Sequence, residues 1–429
     1  MRAALWLVAL FGVAVAVALF IGNNHAVVTL FWPPHRVDVS FNLMVLALAS
    51  FFVLLHFALR ALAAVFSLPL QARRWRALQK ERAMYGGLMD ALAHLLAGRF
   101  IRASRSAENA LLQERSLAQM ALETGHDSGH SPGRSVQLRA LAHLLAAESA
   151  QALQNKSLRE HHLQQALERT TQRTAPEAVE GIQLRAARWA LEDRDPHGAL
   201  EWLNQLPQGA SRRTLALRMK LRAAQRAGLT AQALDTARLL AKHRAFSQPA
   251  AQSIIRGLAL ELLNAAHDPD QLQQAWLALD ESERTMPELA AHASSRLMAL
   301  HGDSEMARRW LLPVWDAFVS TDSALPDSLR LKIVQALELG LDSVEAGWLA
   351  RIEGALQARP RDSLLQYLAG MACLKRQLWG KSQQLLSHAV LTLQDSALRR
   401  KAWLALALLA EQRGEAAAAQ HAYRQAAEF

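Results

Sequence analysis

The sequence is poor in cysteine and in aromatic residues, and each shortage excludes a class of protein. Its single cysteine, Cys373, excludes an intrachain disulfide, a zinc site with several cysteine ligands and a cysteine-ligated cluster. Aromatic residues make up only 6% of the 429 residues, whereas strand-rich proteins depend on aromatic and β-branched side chains. Hydrophobic residues make up 51%, with alanine and leucine prominent, so we expect a helical protein of two or three structural units.

The sequence also lacks the short motifs that mark catalytic or nucleotide-binding sites. It contains no glycine-rich dinucleotide fingerprint, no P-loop, no His-Glu-x-x-His motif and no Gly-x-Ser-x-Gly motif. His126 and His130 are four residues apart, but the glycine, serine and proline residues around them do not hold helical ligand geometry. Cys373 falls at a packing position of a predicted helix. We therefore predict no catalytic residue, no metal site and no enzymatic activity.

Charge is nearly absent from residues 1–70. Two uncharged apolar runs, at about 3–21 and 39–59, each reach the roughly 20 residues that a helix needs to cross a bilayer. Between them, residues 22–38 contain two consecutive prolines and are interpreted as a short turn. The pattern predicts a two-helix transmembrane hairpin over residues 1–70. A cleaved signal peptide followed by one anchor is the alternative, which the length of the first run and its weak cleavage site disfavour.

A basic segment follows the second apolar run. We predict that residues 71–83 form a juxtamembrane helix whose cationic side chains lie on anionic lipid headgroups, namely Arg73, Arg74, Arg76, Lys80 and Arg82. The turn between the two runs has only Arg36, so the excess of positive charge predicts that the chain after residue 70, and the N-terminus, are cytoplasmic. Binding of nucleic acid is not expected of a basic segment directly after a membrane span.

From residue 84 to residue 429 a helical pattern recurs with a period of about 34 residues. The last copy is the clearest. The residues that fit the repeat pattern are Trp403, Leu406, Ala407, Ala410, Gly414, Ala419, Tyr423 and Ala426. This copy resembles the tetratricopeptide repeat (TPR), a helix–turn–helix unit in which small residues let two helices approach closely. Trp403 and Tyr423 are expected to fill the gaps between neighbouring repeats.

Further copies are predicted at residues 84–117, 140–173, 180–213, 214–247, 288–321 and 363–396, with weaker helix pairs at 248–287 and 322–362. Their predicted packing residues are Gly98, Ala103, Ala187, Ala199, Ala233, Gly302, Ala307, Gly370 and Ala389. Arg159 occupies a normally small position in one copy. Residues 123–134 are a predicted loop, and 323–328 a lesser break. Five tryptophans are interpreted as core residues of stacked repeats: Trp276, Trp310, Trp315, Trp348 and Trp379. The predicted fold class is all-α, a transmembrane hairpin followed by a TPR-like α-solenoid.

The order of these parts resembles the HemY family, haem-biosynthesis-associated inner-membrane proteins of Gram-negative proteobacteria. The resemblance covers essentially the whole chain, and the segments 95–100 and 144–150 are similar to the first and second repeats of that family. It implies a place in late porphyrin and haem metabolism at the bacterial inner membrane, with haem-pathway enzymes as protein partners and no established catalytic chemistry. The same name is used for an unrelated flavin-dependent oxidase, whose dinucleotide fingerprint this sequence lacks.

Two functions of different classes stay open. One is a membrane-tethered scaffold whose concave repeat surface holds a haem-pathway enzyme or passes on its product. The other is a general envelope-assembly or chaperone-type TPR protein that binds exposed peptide segments. Direct carriage of haem or porphyrin is a weaker third hypothesis, in which the chain itself binds a tetrapyrrole as its ligand.

Overall fold

The computed structural model of the chain describes residues 8, 11–18, 22, 26–124, 132–168, 175–320, 325–342 and 344–428. The chain divides into two compact units, residues 1–179 and 180–429. The described residues are mostly helical, as the abundance of alanine and leucine predicts.

A β-hairpin lies where the sequence predicts only a turn. Strand β1, Val27–Trp32, pairs antiparallel with strand β2, His35–Ser40, and two prolines make the turn between them. The all-α expectation is therefore wrong for residues 27–40. Both strands are rich in valine and β1 ends on two aromatic residues, so a strand preference was present on each side of the prolines.

Helix α1, Phe41–Leu96, begins directly after the hairpin. Its first part, Phe41–Ala63, is long and apolar enough to cross a membrane and is not buried by the protein. This candidate span begins two residues later than the predicted run at 39–59, because Ser40 ends β2 and caps α1. The other predicted span covers residues 3–21, and more than half of it lies outside the described residues. Its described stretch, residues 11–18, is helical. The two-span hairpin thus stays a prediction.

The basic segment is not a separate helix. Residues 71–83 lie in the middle of α1, which continues without a break to Leu96, so the boundaries predicted at 71 and 83 are wrong. The segment consists largely of good helix formers such as alanine, leucine, arginine and glutamine, and such residues let the helix propagate. The last part of α1 then packs against helix α2, Phe100–Thr124, at the position of the first predicted repeat.

The remaining helices follow as successive pairs, and we call the first helix of each pair the A helix and the second the B helix. Two short helices lie between pairs. In the first unit, α3 (Pro132–Ala152) packs against α4 (Lys156–Glu168). The next helices are α5 (Pro176–Glu192), α6 (Pro196–Asn204), the short α7 (Gln208–Ser211), α8 (Thr214–Arg226), α9 (Thr230–Lys242), α10 (Gln248–Asn264), α11 (Pro269–Leu277) and the short α12 (Glu281–Arg284). The last are α13 (Pro287–Ala299), α14 (Ser304–Val319), α15 (Asp327–Leu339), α16 (Ala346–Ala358), α17 (Ser363–Lys375), α18 (Trp379–Thr392), α19 (Ser396–Gln412) and α20 (Ala416–Ala427).

The packing of these pairs is that of a TPR array. Each A helix from α13 onwards contacts the A helix of the next pair, so that α13, α15, α17 and α19 lie side by side. The B helices α14, α16 and α18 each contact the A helix that follows them. Because every pair contacts mainly its neighbours, the second unit has the nearest-neighbour construction of a repeat protein.

Small residues set the distance between the helices of a pair. Ala407 is fully buried, and Ala419 in the opposite helix is nearly so. At Gly370 of α17 an added Cβ would lie 2.7 Å from the Leu386 side chain of α18, so only glycine allows this approach. The helices of these pairs therefore pack closely through alanine and glycine.

The predicted loop at 123–134 is shorter than expected. Helix α2 reaches Thr124 and α3 begins at Pro132, while residues 125–131, with His126 and His130, lie outside the described residues. The lesser break at 323–328 ends where α15 begins, at Asp327.

The turn between the A and B helix often contains one residue with positive φ. Glycine occupies it at Gly98, Gly228 and Gly414, but Gln377 takes a φ of +60° between α17 and α18. Because a side chain disfavours this conformation, we expect Gln377→Gly to raise the free energy of unfolding by about 0.5–1 kcal/mol. Urea denaturation of the detergent-solubilised chain would measure this free energy. The reciprocal change Gly228→Gln should lower the free energy of unfolding by a similar amount. A destabilised Gln377→Gly variant would contradict the view that a side chain at position 377 is unfavourable.

Candidate functional site

The A helices α15, α17 and α19 form one surface of the second unit. Lys401 on α19 makes an ion pair with Glu338 on α15, with 3.0 Å between Nζ and Oε2, although α17 lies between them. Long lysine and glutamate side chains bridge the width of α17 from its two sides. The ion pair therefore shows that the exposed sides of α15, α17 and α19 belong to one continuous surface, which we call the inner face.

Tyr367 of α17 forms the floor below this ion pair. Its side chain is completely buried, and burial together with the Glu338 carboxylate raises the pKa of its hydroxyl group. Glu338 is also largely buried, while the Lys401 side chain is about half exposed. The ammonium group of Lys401 is thus the part of this network that a ligand meets first.

Exposed leucines lie beside Lys401. Leu404 is 37% exposed and Leu408 is 50% exposed. The spacing of three and seven residues from Lys401 places them on the same side of α19. Arg400 is exposed next to them and forms no ion pair within the described part of the chain. Two cationic groups beside two exposed leucines suit a partner segment that is both acidic and apolar.

Polar side chains also join the A helices that precede the inner face. Arg256 of α10 pairs with Glu288 of α13, at 3.0 Å, and His292 of α13 bonds the Asn264 side chain of α10, at 2.7 Å. Burial, and then the positive charge of Arg296, lower the pKa of His292. His292 is therefore a neutral hydrogen-bonding group near pH 7 that holds α10 and α13 in register.

Most of the predicted packing residues are buried between helices and are not part of an exposed surface. The buried ones are Ala103, Ala187, Ala199, Ala233, Ala307, Gly370, Ala389, Ala407, Ala419 and Ala426. Gly302 and Trp403 are half-buried, while Gly98 and Gly414 are exposed in turns with positive φ. Tyr423 is 37% exposed, so the expectation that it fills a gap between repeats is wrong. It lies on α20, against which no later described helix packs.

Four of the five tryptophans are core residues. Trp276 stacks on Trp310 with ring centres 4.9 Å apart, and Trp315 contacts Trp348 edge to face at 5.7 Å. Trp379 is 37% exposed, and its assignment to the core is wrong because it is the first residue of α18, at the edge of the turn. Arg159, at a normally small position, is buried and paired with Glu160.

The basic residues of α1 are only partly available to lipid. Arg76 and Arg82 are exposed, about 20 and 28 Å along the helix from Ala63. Lys80 is half-buried, and its Nζ lies 3.4 Å from the Sδ atom of Met120 on α2. The side chains of Arg73 and Arg74 lie outside what the structure describes. Lys80 therefore belongs to the packing between α1 and α2, contrary to its prediction as a headgroup ligand.

Metal-binding and thiol side chains do not form a cluster among the described residues. No group of three or more histidine, cysteine, aspartate or glutamate side chains among them is placed to hold a metal ion. Cys373 is buried, and burial raises the pKa of its thiol, so it is the packing residue that its position predicts. A cavity of about 640 Å³ lies at the start of α17 and is lined by Arg330, Arg359, Pro360, Arg361, Asp362 and Ser363. Two of its arginines are already engaged with Asp362.

Comparisons with known proteins give one family match and several distant structures. Residues 27–124 match the family model described as HemY protein N-terminus, and no curated protein matches the chain. The Naa15/Naa10 complex bound to HypK-THB is 13% identical, with a TM-score of 0.25 over 76% of this chain and 56% of that one, so this chain spans about half of it. The P58(IPK) TPR domain is 13% identical, with a TM-score of 0.22 over 77% and 99%. The APC/C hetero-tetramer Cut9-Hcn1 is 16% identical, with a TM-score of 0.25 over 84% and 68%.

Proposed function

Because residues 27–124 match the family model described as HemY protein N-terminus, we propose that the chain is a membrane-anchored scaffold that organises enzymes of late protoporphyrin and haem biosynthesis. The match confirms the resemblance to the HemY family over these residues. The inner face is the observation on which the scaffold function rests. Its exposed leucines and cationic groups on α19 suit a protein segment.

The apolar segment Phe41–Ala63 supports attachment to the bacterial inner membrane. Arginine and lysine are concentrated after this segment, which favours a cytoplasmic position of the helix pairs. Confinement to the bilayer plane raises the effective concentration of any partner that works at the same membrane. Tetrapyrrole intermediates are poorly soluble, so handing them between neighbouring enzymes is chemically favourable. In this proposal the chain itself converts no tetrapyrrole.

Partner capture from membranes tests the inner face. We expect the double variant Leu404→Asp and Leu408→Asp to retain less than about a tenth of the haem-pathway enzymes that the unaltered chain retains, because it removes apolar contact area and adds negative charge beside Lys401. Leu391→Asp is the matched control, since Leu391 is 78% exposed on the B helix α18. The captured proteins would be identified by mass spectrometry after mild crosslinking.

The outcomes of this capture separate the two functions left open by the sequence. Loss of haem-pathway enzymes from the α19 variant alone supports the scaffold. Capture of nascent or secreted chains in place of these enzymes would favour the envelope-assembly function. Equal capture by the unaltered chain and both variants would show that the inner face is not the binding surface. Turnover of a tetrapyrrole by the purified chain without added enzyme would overturn the absence of catalysis.

A further inference from the structure

The β-hairpin before α1 has one largely apolar face. The pairing of the strands places Val28 opposite Val39, Leu30 opposite Val37 and Trp32 opposite His35. Side chains alternate between the faces of a sheet, so these three cross-strand pairs share one face. Apart from His35 at the tip, every side chain on it is apolar. Leu30 is 46% exposed, Val37 53% and Trp32 75%, so the described residues leave most of this face uncovered.

The opposite face of the hairpin is mixed and carries both of its charged residues that form an ion pair. It carries the pairs Val27 with Ser40, Thr29 with Asp38 and Phe31 with Arg36. Arg36 makes an ion pair with Asp38, at 3.2 Å, and its guanidinium lies 5.5 Å from the centre of the Phe31 ring. The charged groups are therefore held on one side of the hairpin, away from Leu30 and Val37.

The hairpin is fixed to the end of the candidate membrane span without a linker. Ser40 is both the last residue of β2 and the N-cap of α1, where its hydroxyl accepts a hydrogen bond from Leu43. The Phe41 amide also donates to the Ala26 carbonyl, at 2.9 Å, which ties the base of the hairpin to the first residue of α1. A span that begins at Phe41 thus holds the hairpin at the boundary between hydrocarbon and water.

We propose that the hairpin of residues 27–40 lies on the bilayer surface, with Val28, Leu30, Trp32, Val37 and Val39 in the region between headgroups and acyl chains. An isolated two-stranded hairpin is only marginally stable in water, so its apolar face requires a cover. The lipid surface is the cover that its position supplies. Tryptophan is enriched at this depth because its ring is apolar and its N–H is polar. Arg36 and Asp38 then face the water.

The proposal rests on the membrane attachment in the proposed function, and one experiment tests the two separately. Single cysteines are introduced into the full-length chain at neighbouring positions on opposite faces, Leu30→Cys and Thr29→Cys on β1, and Val37→Cys and Asp38→Cys on β2. Each is labelled with an environment-sensitive fluorophore, the buried Cys373 being inaccessible. The proteins are reconstituted into phosphatidylcholine and phosphatidylglycerol vesicles with or without a spin-labelled lipid whose nitroxide lies near the headgroups. A Leu54→Cys variant, measured with a second lipid whose nitroxide lies deep in the acyl chains, reports on the span.

We expect the spin-labelled lipid to quench the probes at positions 30 and 37 about threefold more than those at 29 and 38, as an apolar face 5–10 Å below the surface requires. Iodide in the water should quench in the opposite order. Equal lipid quenching at all four positions would overturn the proposal. So would probes at 30 and 37 that neither lipid nor iodide reaches, since a protein segment or a second copy would then cover the face. Absence of lipid quenching at position 54 would instead overturn the membrane attachment itself.

Discussion

Replacing Arg238 by methionine is expected to lower the free energy of unfolding of the second unit by about 3–5 kcal/mol. Arg238 on α9 holds the carboxylate of Glu283 with two hydrogen bonds, Nε to Oε1 at 2.9 Å and Nη2 to Oε2 at 2.6 Å. Glu283 is only 3% exposed, so the change would leave a buried negative charge without its partner. The guanidinium also donates to the Ala278 carbonyl, at 3.0 Å, which would lose that bond.

Urea denaturation of the solubilised chain, followed by tryptophan fluorescence, would measure this loss. Adding Glu283→Gln to Arg238→Met should restore part of the stability, because the unpaired charge is then removed. The control is Arg309→Met, which breaks the exposed pair of Arg309 and Glu305 and should cost less than about 1 kcal/mol. Equal losses from Arg238→Met and Arg309→Met would show that the buried pair has no special role.

Acidification is expected to open the contact between α3 and α4 in the first unit. His143 and His162 are buried with their Nδ1 atoms 3.0 Å apart. Burial, and then the neighbouring His162, lower the pKa of His143 to about 4, and burial also lowers the pKa of His162. Arg139 of α3, Arg115 and Glu108 of α2 and His161 of α4 are the other charged groups near the pair, and only Glu108 favours protonation.

The lowered pKa values of the two histidines make the first unit less stable in acid. The folded state binds fewer protons than the unfolded state below pH 6.5, so stability is full above that pH and falls as the pH approaches 4. The lowered pKa of His143 corresponds to a loss of about 3 kcal/mol of the free energy of unfolding across this window.

Hydrogen exchange at pH 7 and pH 4.5, corrected for the intrinsic rate, should show weaker protection of α3 and α4 at the lower pH. The double variant His143→Leu and His162→Leu should lose this pH dependence, whereas the exposed change His161→Gln should keep it. Unchanged protection in the parent chain would contradict the assignment.

The repeat pattern predicted the helix pairs well because packing positions recur at fixed spacing. The template at Trp403, Leu406, Ala407 and Ala410 fixes the buried side of α19, and the structure has α19 and α20 where it places them. By elimination the same template leaves Leu404 and Leu408 outside, which is the signal that could have located the inner face. The ion pair between Lys401 and Glu338 was beyond it, because 63 residues separate the two side chains.

Other features depend on contacts that no local pattern contains. No sequence pattern links His143 to His162, and only the packing of α3 on α4 brings them together. The sequence predicts only a short turn at residues 22–38 because two consecutive prolines indicate one, whereas in the structure this turn joins two paired strands. The continuity of α1 was missed because the change from apolar to basic composition suggested a boundary. Composition changes there, but helix propensity does not.

That continuity gives the chain a stalk of defined length. From Ala63, where the candidate span ends, to Lys80, where α1 already packs against α2, α1 rises about 25 Å. This is a little less than the diameter of a small protein domain, about 30 Å. In the proposed topology, the stalk leaves room beside it for a small enzyme domain on the bilayer surface. Arg82, about 28 Å along α1 from Ala63, is then several Debye lengths from the headgroups and exposed to such an enzyme.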